Sequence, residues 1–105
     1  MNQYDIVLVN LDPTIGSEIQ KTRPCVIVSP DELNHNLQTI VVSPMTTTLR
    51  KYPTRVELKL NGKTGSIAID QIRTIDKVRI IKILGKLNKS EIREVKSVIK
   101  ETFVD

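Results

Sequence analysis

The chain has 105 residues and a formal net charge of +4; it is 39% hydrophobic with no Trp, two Tyr and one Phe, so it suits one compact domain over residues 1–105 whose core must come from Val, Ile and Leu. No apolar run approaches the roughly 20 residues of a membrane helix, the N-terminus carries an acid where a secretion signal would carry cations, and the single Cys25 leaves no internal disulfide; a cytoplasmic protein without a membrane partner is expected. Residues 1–70 balance seven Lys/Arg against seven Asp/Glu, while residues 71–105 hold nine against five, an excess that permits a polyanionic partner without requiring one.

In chain order, the first two thirds read as β. "DIVLVNL" is short and β-branched, and ends at the turn signal "DP". "RPCVIVS" is near-continuously apolar, fit for a strand buried on both faces, which makes Cys25 a buried structural thiol. In "SPDELNHN", Ser29 as cap, Pro30 at the first helical position and acids after it predict a short helix. "TIVVSP" is a third strand, and "TRVELKL" alternates at period two. "NGKTG" reads as a hairpin turn and nothing more, with Gly62 and Gly65 free to take positive φ, and "SIAID" returns. "KVRIIKIL" is the last predicted strand. After Gly85 the period changes: Ile92, Val95, Ile99 and Phe103, with Val98 and Thr102 beside them, form a narrow helical stripe. Ser90 is the expected cap. Mostly β with α, the pattern predicts a small SH3-like half-open β-barrel with a short helix after strand 2 and a C-terminal helix as lid.

The chemistry-bearing residues are few. One His and one Cys ten residues apart give no metal-ligand spacing, and "NGKTG" lacks the order of a phosphate loop. His35 reads as a solvated histidine. An enzyme built from this chain must work largely without histidine, and RNA cleavage by the neighbouring 2′-hydroxyl is a reaction that allows it. The substrate carries its own nucleophile; a carboxylate can take the proton, an arginine can hold the developing charge and a threonine can hold a phosphoryl oxygen. Glu18, Arg23 and Thr46 are the candidates.

Three blocks then carry a resemblance. "YDIVLVNLDPTIGSEIQKTRPCVIVSPDELN" resembles the N-terminal signature of the MazF/PemK/Kid toxins of type II toxin–antitoxin systems, in which a hydrophobic strand leads into Asp-Pro-Thr, Gly-Ser-Glu and Arg-Pro. "VVSPMTTTLRKYPTRVEL" is similar to that family's Pro-x-Thr segment, and "GSIAIDQIRTIDKVRI" to its Asp-Gln block. In order, they span nearly the whole chain. The resemblance implies a homodimeric SH3-like barrel without a cofactor and a sequence-specific, metal-independent endoribonuclease acting on single-stranded RNA. It would leave 2′,3′-cyclic phosphate and 5′-hydroxyl ends and stop translation and growth. It also implies a cognate antitoxin whose C-terminal segment covers the RNA groove.

Carried over residue by residue, the family's catalytic arginine falls on Arg23, its catalytic threonine on Thr46 and its Gly-Ser-Glu carboxylate on Glu18. Asp70 and Gln71 match the Asp-Gln pair as RNA-binding candidates. Thr47, Tyr52 and Lys21 are further RNA-binding candidates, Tyr52 as the tyrosine placed to stack on a base. Some members carry an arginine two positions before the aspartate; here that position is Ala68, so the chemistry rests on Arg23 and Thr46. For several residues a plainer reading stands beside this one. Asp12 suits turn chemistry, Asp70 could cap the turn in "DQIRT", and Arg73 and Arg79 read singly as solvated charges. Two other functions stay open: a non-catalytic CcdB-like poison of a topoisomerase, and a small-barrel RNA-binding module. The second is disfavoured by the scarcity of aromatics on which bases could stack.

Overall fold

Runs of β-branched residues bounded by turn formers set the architecture of the computed structural model, which describes residues 1–12, 16, 21–47 and 52–104. Seven strands are found among these residues: β1 (Asp5–Asn10), β2 (Thr22–Ile27), β3 (Thr39–Thr46), β4 (Arg55–Leu60), β5 (Lys63–Ala68), β6 (Arg73–Asp76) and β7 (Ile80–Lys86). Helix α1 (Asp31–Asn36) follows β2 and helix α2 (Lys89–Phe103) follows β7. Short 3-10 turns occupy Ile69–Gln71 and Lys77–Arg79.

The strands form one antiparallel sheet in the order β4-β5-β3-β2-β1-β7, with β6 joining β3 off that path. β3 is the hub. One edge pairs with β2; the other pairs first with β6 through Thr39–Val42 and then with β5 through Met45 and Thr46. Pro44, with no N–H to offer a ladder, stands at the changeover. A strand that serves two partners in succession must bend, and the sheet curls into the expected half-open barrel.

Both faces of the central strands are buried. Val7, Val9, Leu11, Cys25, Ile27, Ile40, Val42 and Ile75 form one apolar cluster. Ile6, Val26, Met45, Val56, Leu58, Ile67, Ile69 and Leu87 form the other, sealed by Val95 of α2. Each such side chain contributes about 1.5–3 kcal/mol on burial. The Cys25 thiol is fully enclosed, and burial pushes its pKa up to about 12 against the opposing charge of Arg73; it is the structural thiol its apolar neighbours predict.

Several local expectations need correction. β6 was not expected: only Ile75 of its four residues is buried, too little to show as periodicity. The strand expected from Lys77 starts at Ile80, because the Asp76 side chain accepts from Val78 N and closes a 3-10 turn over Lys77–Arg79. Pro30, not Ser29, is the residue before α1. The Ser29 hydroxyl instead donates to Asn34 Oδ1 and accepts from Val41 N at 3.1 Å, tying α1 to β3. The α2 cap is Asn88, not Ser90: its side chain accepts from Glu91 N while Glu91 returns the bond to Asn88 N, each at 2.8 Å, a capping box. The hairpin turn is only Asn61-Gly62, with φ of 52° and 79°. Gly65 is inside β5 without positive φ, and its reason is space. A Cβ there would lie 3.1 Å from the Thr46 carbonyl oxygen. The α2 stripe buries Val95 and half-buries Ile92, Val98 and Ile99, but Phe103 is 54% exposed and lies beyond the contact.

Candidate active site

Arg23 enters at the second position of β2, opposite Val9 of β1. Across the other ladder, Ile27, Val26 and Cys25 pair with Val42, Ser43 and Pro44 of β3. The same register carried two residues further sets Arg23 opposite Thr46, on one face of the sheet. Both line a cavity of about 280 Å³, with Thr47 beyond the strand end at its lip. The two candidates matched separately to Arg-Pro and Pro-x-Thr are therefore neighbours.

Arg23 is half-buried, and its Nε is a buried donor with no hydrogen-bond partner among the described residues. Such an orphan N–H costs about 1–3 kcal/mol. The Arg23 side chain also lines the cavity, which puts its positive charge beside the space a ligand would fill. Gly65 fixes the other side of Thr46: β5 pairs Ile67 and Ser66 with Met45 and Thr46, and the missing Cβ of Gly65 admits the Thr46 carbonyl.

Glu18 lies outside the described residues, but the neck of its loop does not. Leu11 N donates to Lys21 O at 3.0 Å, and Lys21 N donates to Asp12 Oδ1 at 2.9 Å. Asp12 thus closes the neck across nine residues; the turn expected of it with Pro13 and Thr14 lies outside the described residues. Lys21 takes φ of 67°, is exposed and does not line the cavity. Arg73 donates to Leu11 O at 3.3 Å, and the Arg79 guanidinium donates to the carbonyls of Asn10 and Asp12. The plain reading of Arg73 and Arg79 as solvated charges is corrected: both are half-buried braces of this neck.

Asp70, Gln71 and Tyr52 group elsewhere on the surface of the barrel. Arg55 Nε donates to Asp70 Oδ1 at 2.9 Å and its second nitrogen to Oδ2 at 3.3 Å, while Thr54 Oγ1 adds a bond at 3.0 Å. Burial pushes the Asp70 carboxyl up, but the hydrogen bonds from Arg55 and Thr54 outweigh it and hold the pKa below its usual value. The Arg55 guanidinium also sits 5.5 Å from the centre of the Tyr52 ring, which is 47% exposed. Gln71 is half-buried in the adjoining 3-10 turn. Ala68 is fully buried and faces Arg55 across the β4–β5 ladder. His35 is exposed on α1, its Nε2 3.2 Å from Asn2 Oδ1.

The opposite wall of the cavity was not foreseen. The β4–β5 hairpin brings Leu60, Asn61 and Lys63 to it, and β7 adds Leu84. "NGKTG" signals a turn and says nothing of what the turn faces. Among the described residues, no three of His, Cys, Asp and Glu come together as a metal site, and no helix is long and apolar enough to cross a membrane.

A curled half-barrel with a C-terminal helix, carrying a guanidinium and threonine hydroxyls on one cleft wall, defines a small-barrel protein with a cleft suited to an anionic ligand. The chain belongs to the family of PemK-like, MazF-like toxins of type II toxin–antitoxin systems, whose family model matches residues 2–103. It is 34% identical over 105 residues to an endoribonuclease MazF of Staphylococcus saprophyticus, covering 94% of this chain and 88% of that protein. Its fold is similar to that of crystalline MazF from Deinococcus radiodurans, with a TM-score of 0.85, 24% identity and coverage of 96% and 94% of the two chains. It is also similar to a mycobacterial endoribonuclease in complex with its cognate antitoxin, with a TM-score of 0.82, 22% identity and coverage of 96% and 92%.

Proposed function

We propose that the chain is an endoribonuclease toxin in which Arg23 and Thr46 hold the scissile phosphate of single-stranded RNA. The observation that carries this reading is that Arg23 and Thr46, from two different strands, line one cavity. The 2′-oxygen gives up its proton and attacks phosphorus, the bond from phosphorus to the 5′-oxygen breaks as that oxygen takes a proton from solvent, and a 2′,3′-cyclic phosphate and a 5′-hydroxyl result. Arg23 offsets the charge that develops on the phosphoryl oxygens, and the Thr46 hydroxyl donates to one of them. Glu18 accepts the 2′-hydroxyl proton, a role assigned on the sequence pattern alone. None of these roles calls on a metal ion. The relative named as an endoribonuclease favours this reading over a topoisomerase poison or a plain RNA-binding module.

The partners follow from the same reading: an RNA strand in the cleft, a cognate antitoxin, and a second copy of the chain. Solved structures of a mycobacterial endoribonuclease in complex with its cognate antitoxin and of MazE-MazF from Deinococcus radiodurans support the second. Support for the third comes from edge strand β7, where Ile81 and Ile83 stay 57% and 55% exposed. The experiment is digestion of a long RNA by the purified protein in EDTA, with cut sites mapped by primer extension. Cleavage should occur at a short recurring motif and should fall about a hundredfold or more in Arg23→Ala, with the circular dichroism spectrum unchanged. Intact RNA under all metal conditions would refute the reading.

A further inference from the structure

The cavity beside Arg23 offers more apolar surface than a phosphate can use. A phosphoryl group is served by cations and hydroxyls, which Arg23 and Thr46 supply. The remaining lining is of another kind: Pro24, Met45, Leu60 and Leu84 are apolar, and Asn61 and Lys63 stand on the hairpin wall. We propose that this cavity receives one unstacked nucleobase of the RNA, next to the phosphate held at Arg23, with the base face on Leu60 and Leu84, its edge read by Asn61 and the following phosphate met by Lys63. The inference rests on the endoribonuclease reading and names a base subsite for it.

Three features favour a nucleotide as the occupant. The lining holds two cations, Arg23 and Lys63, and no acid among the described residues, which complements a polyanion. Sequence-specific recognition of single-stranded RNA works by splaying a base out of the stack, covering its face and bonding its edge. The chain has only two Tyr and one Phe, none of them in this lining, so an aliphatic floor replaces the usual aromatic one. Finally, the turn sets the backbone at Asn61. This residue takes φ of 52° beside Gly62 at 79°, and Leu60 pairs with Lys63 to close the turn, the positive-φ pattern of a tight hairpin. An asparagine amide carries a donor and an acceptor together, the pair needed to read a base edge.

The probe is a set of single-stranded 2′-deoxy oligonucleotides of mixed sequence, which lack the nucleophile and so bind uncut. With methyl-labelled protein, the Leu60 and Leu84 resonances should shift and saturate as oligonucleotide is added. In cleavage assays Lys63→Ala should raise KM about tenfold with kcat little changed. Asn61→Gly keeps the turn and should relax base preference at one position of the cleaved motif. Methyl signals that stay still, with KM and motif unchanged in both variants while the wild type cuts RNA, would overturn the subsite and leave the endoribonuclease standing. Methyl shifts that follow protein concentration, or appear only with an antitoxin peptide, would overturn it too, assigning the cavity to an interface between copies or to the antitoxin. Oligonucleotide-dependent methyl shifts in a protein that cuts no RNA would instead uphold the base subsite and refute the activity.

Discussion

Arg23 and Thr46 line one cavity, and the β2–β3 register, carried two residues beyond its last pair, Cys25 with Pro44, sets them opposite one another. In the sequence they are separated by a helix and most of two strands. Their proximity follows from register, and register here follows from burial: Cys25, Ile27 and Val42 face one apolar cluster and Val26 and Met45 the other, so a slip of one residue would exchange the two sets and misfit both cores. The core thus fixes the spacing of the two groups assigned to the phosphate. Three substitutions or titrations probe how that spacing and its surroundings are maintained.

Gly65→Ala tests the wall behind Thr46. The added Cβ would meet the Thr46 carbonyl oxygen at 3.1 Å, and backbone cannot yield as a flexible side chain would. Shifting one strand end to relieve such overpacking costs about 1–3 kcal/mol. RNA cleavage should fall about tenfold or more, with a lowered but cooperative unfolding transition. Full activity in the variant would show that the position of Thr46 tolerates displacement.

Arg79→Ala tests the neck of the loop between β1 and β2. The guanidinium donates to the carbonyls of Asn10 and Asp12, and its loss leaves both to solvent. kcat should drop about five- to tenfold, the scale of one charge-assisted bond, and Arg79→Lys should restore part of it with its single ammonium. Equal losses in the two variants, or a change in KM alone, would argue that Arg79 meets RNA directly rather than holding the loop.

Asp70 gives a pH signature. Its folded-state pKa lies below the usual 3.8, so the pairing with Arg55 and Thr54 adds stability above the unfolded value, and that contribution fades as pH falls through the folded one. The carboxylate is 35% exposed, so solvent screening keeps the effect small. Urea midpoints of the wild type and Asp70→Asn should differ at neutral pH and converge below about pH 4. A gap constant down to pH 2 would mean that the pair contributes nothing through its charge.

The strands were legible because Val and Ile runs bounded by turn signals have few other uses, and so was the α2 stripe around Val95. What stayed hidden depended on geometry that no local pattern encodes. β6 carries one buried residue and pairs only because β3 offers it an edge. Gly65 looks like a turn glycine until Thr46 is seen beside it. Asn88 outcompetes Ser90 as cap because Glu91 lies three residues after Asn88 and can return the bond, whereas Arg93, three after Ser90, cannot. At the site, Arg23 and Thr46 could be matched to motifs, yet their shared cavity, and Asn61 and Lys63 across from them, emerged only when the barrel curled. Arg73 and Arg79 look like solvated charges in the sequence for the same reason: the carbonyls they bind lie more than sixty residues away.

The central claim is that the RNA supplies its own nucleophile while Arg23 and Thr46 hold the phosphate. An oligoribonucleotide containing one mapped cut site, with the single 2′-hydroxyl beside the scissile phosphate replaced by hydrogen, tests it directly. The protein should bind this strand and leave it whole while cutting the unmodified strand at that bond. Cleavage of the substituted strand at the same bond would contradict the mechanism and require an external nucleophile.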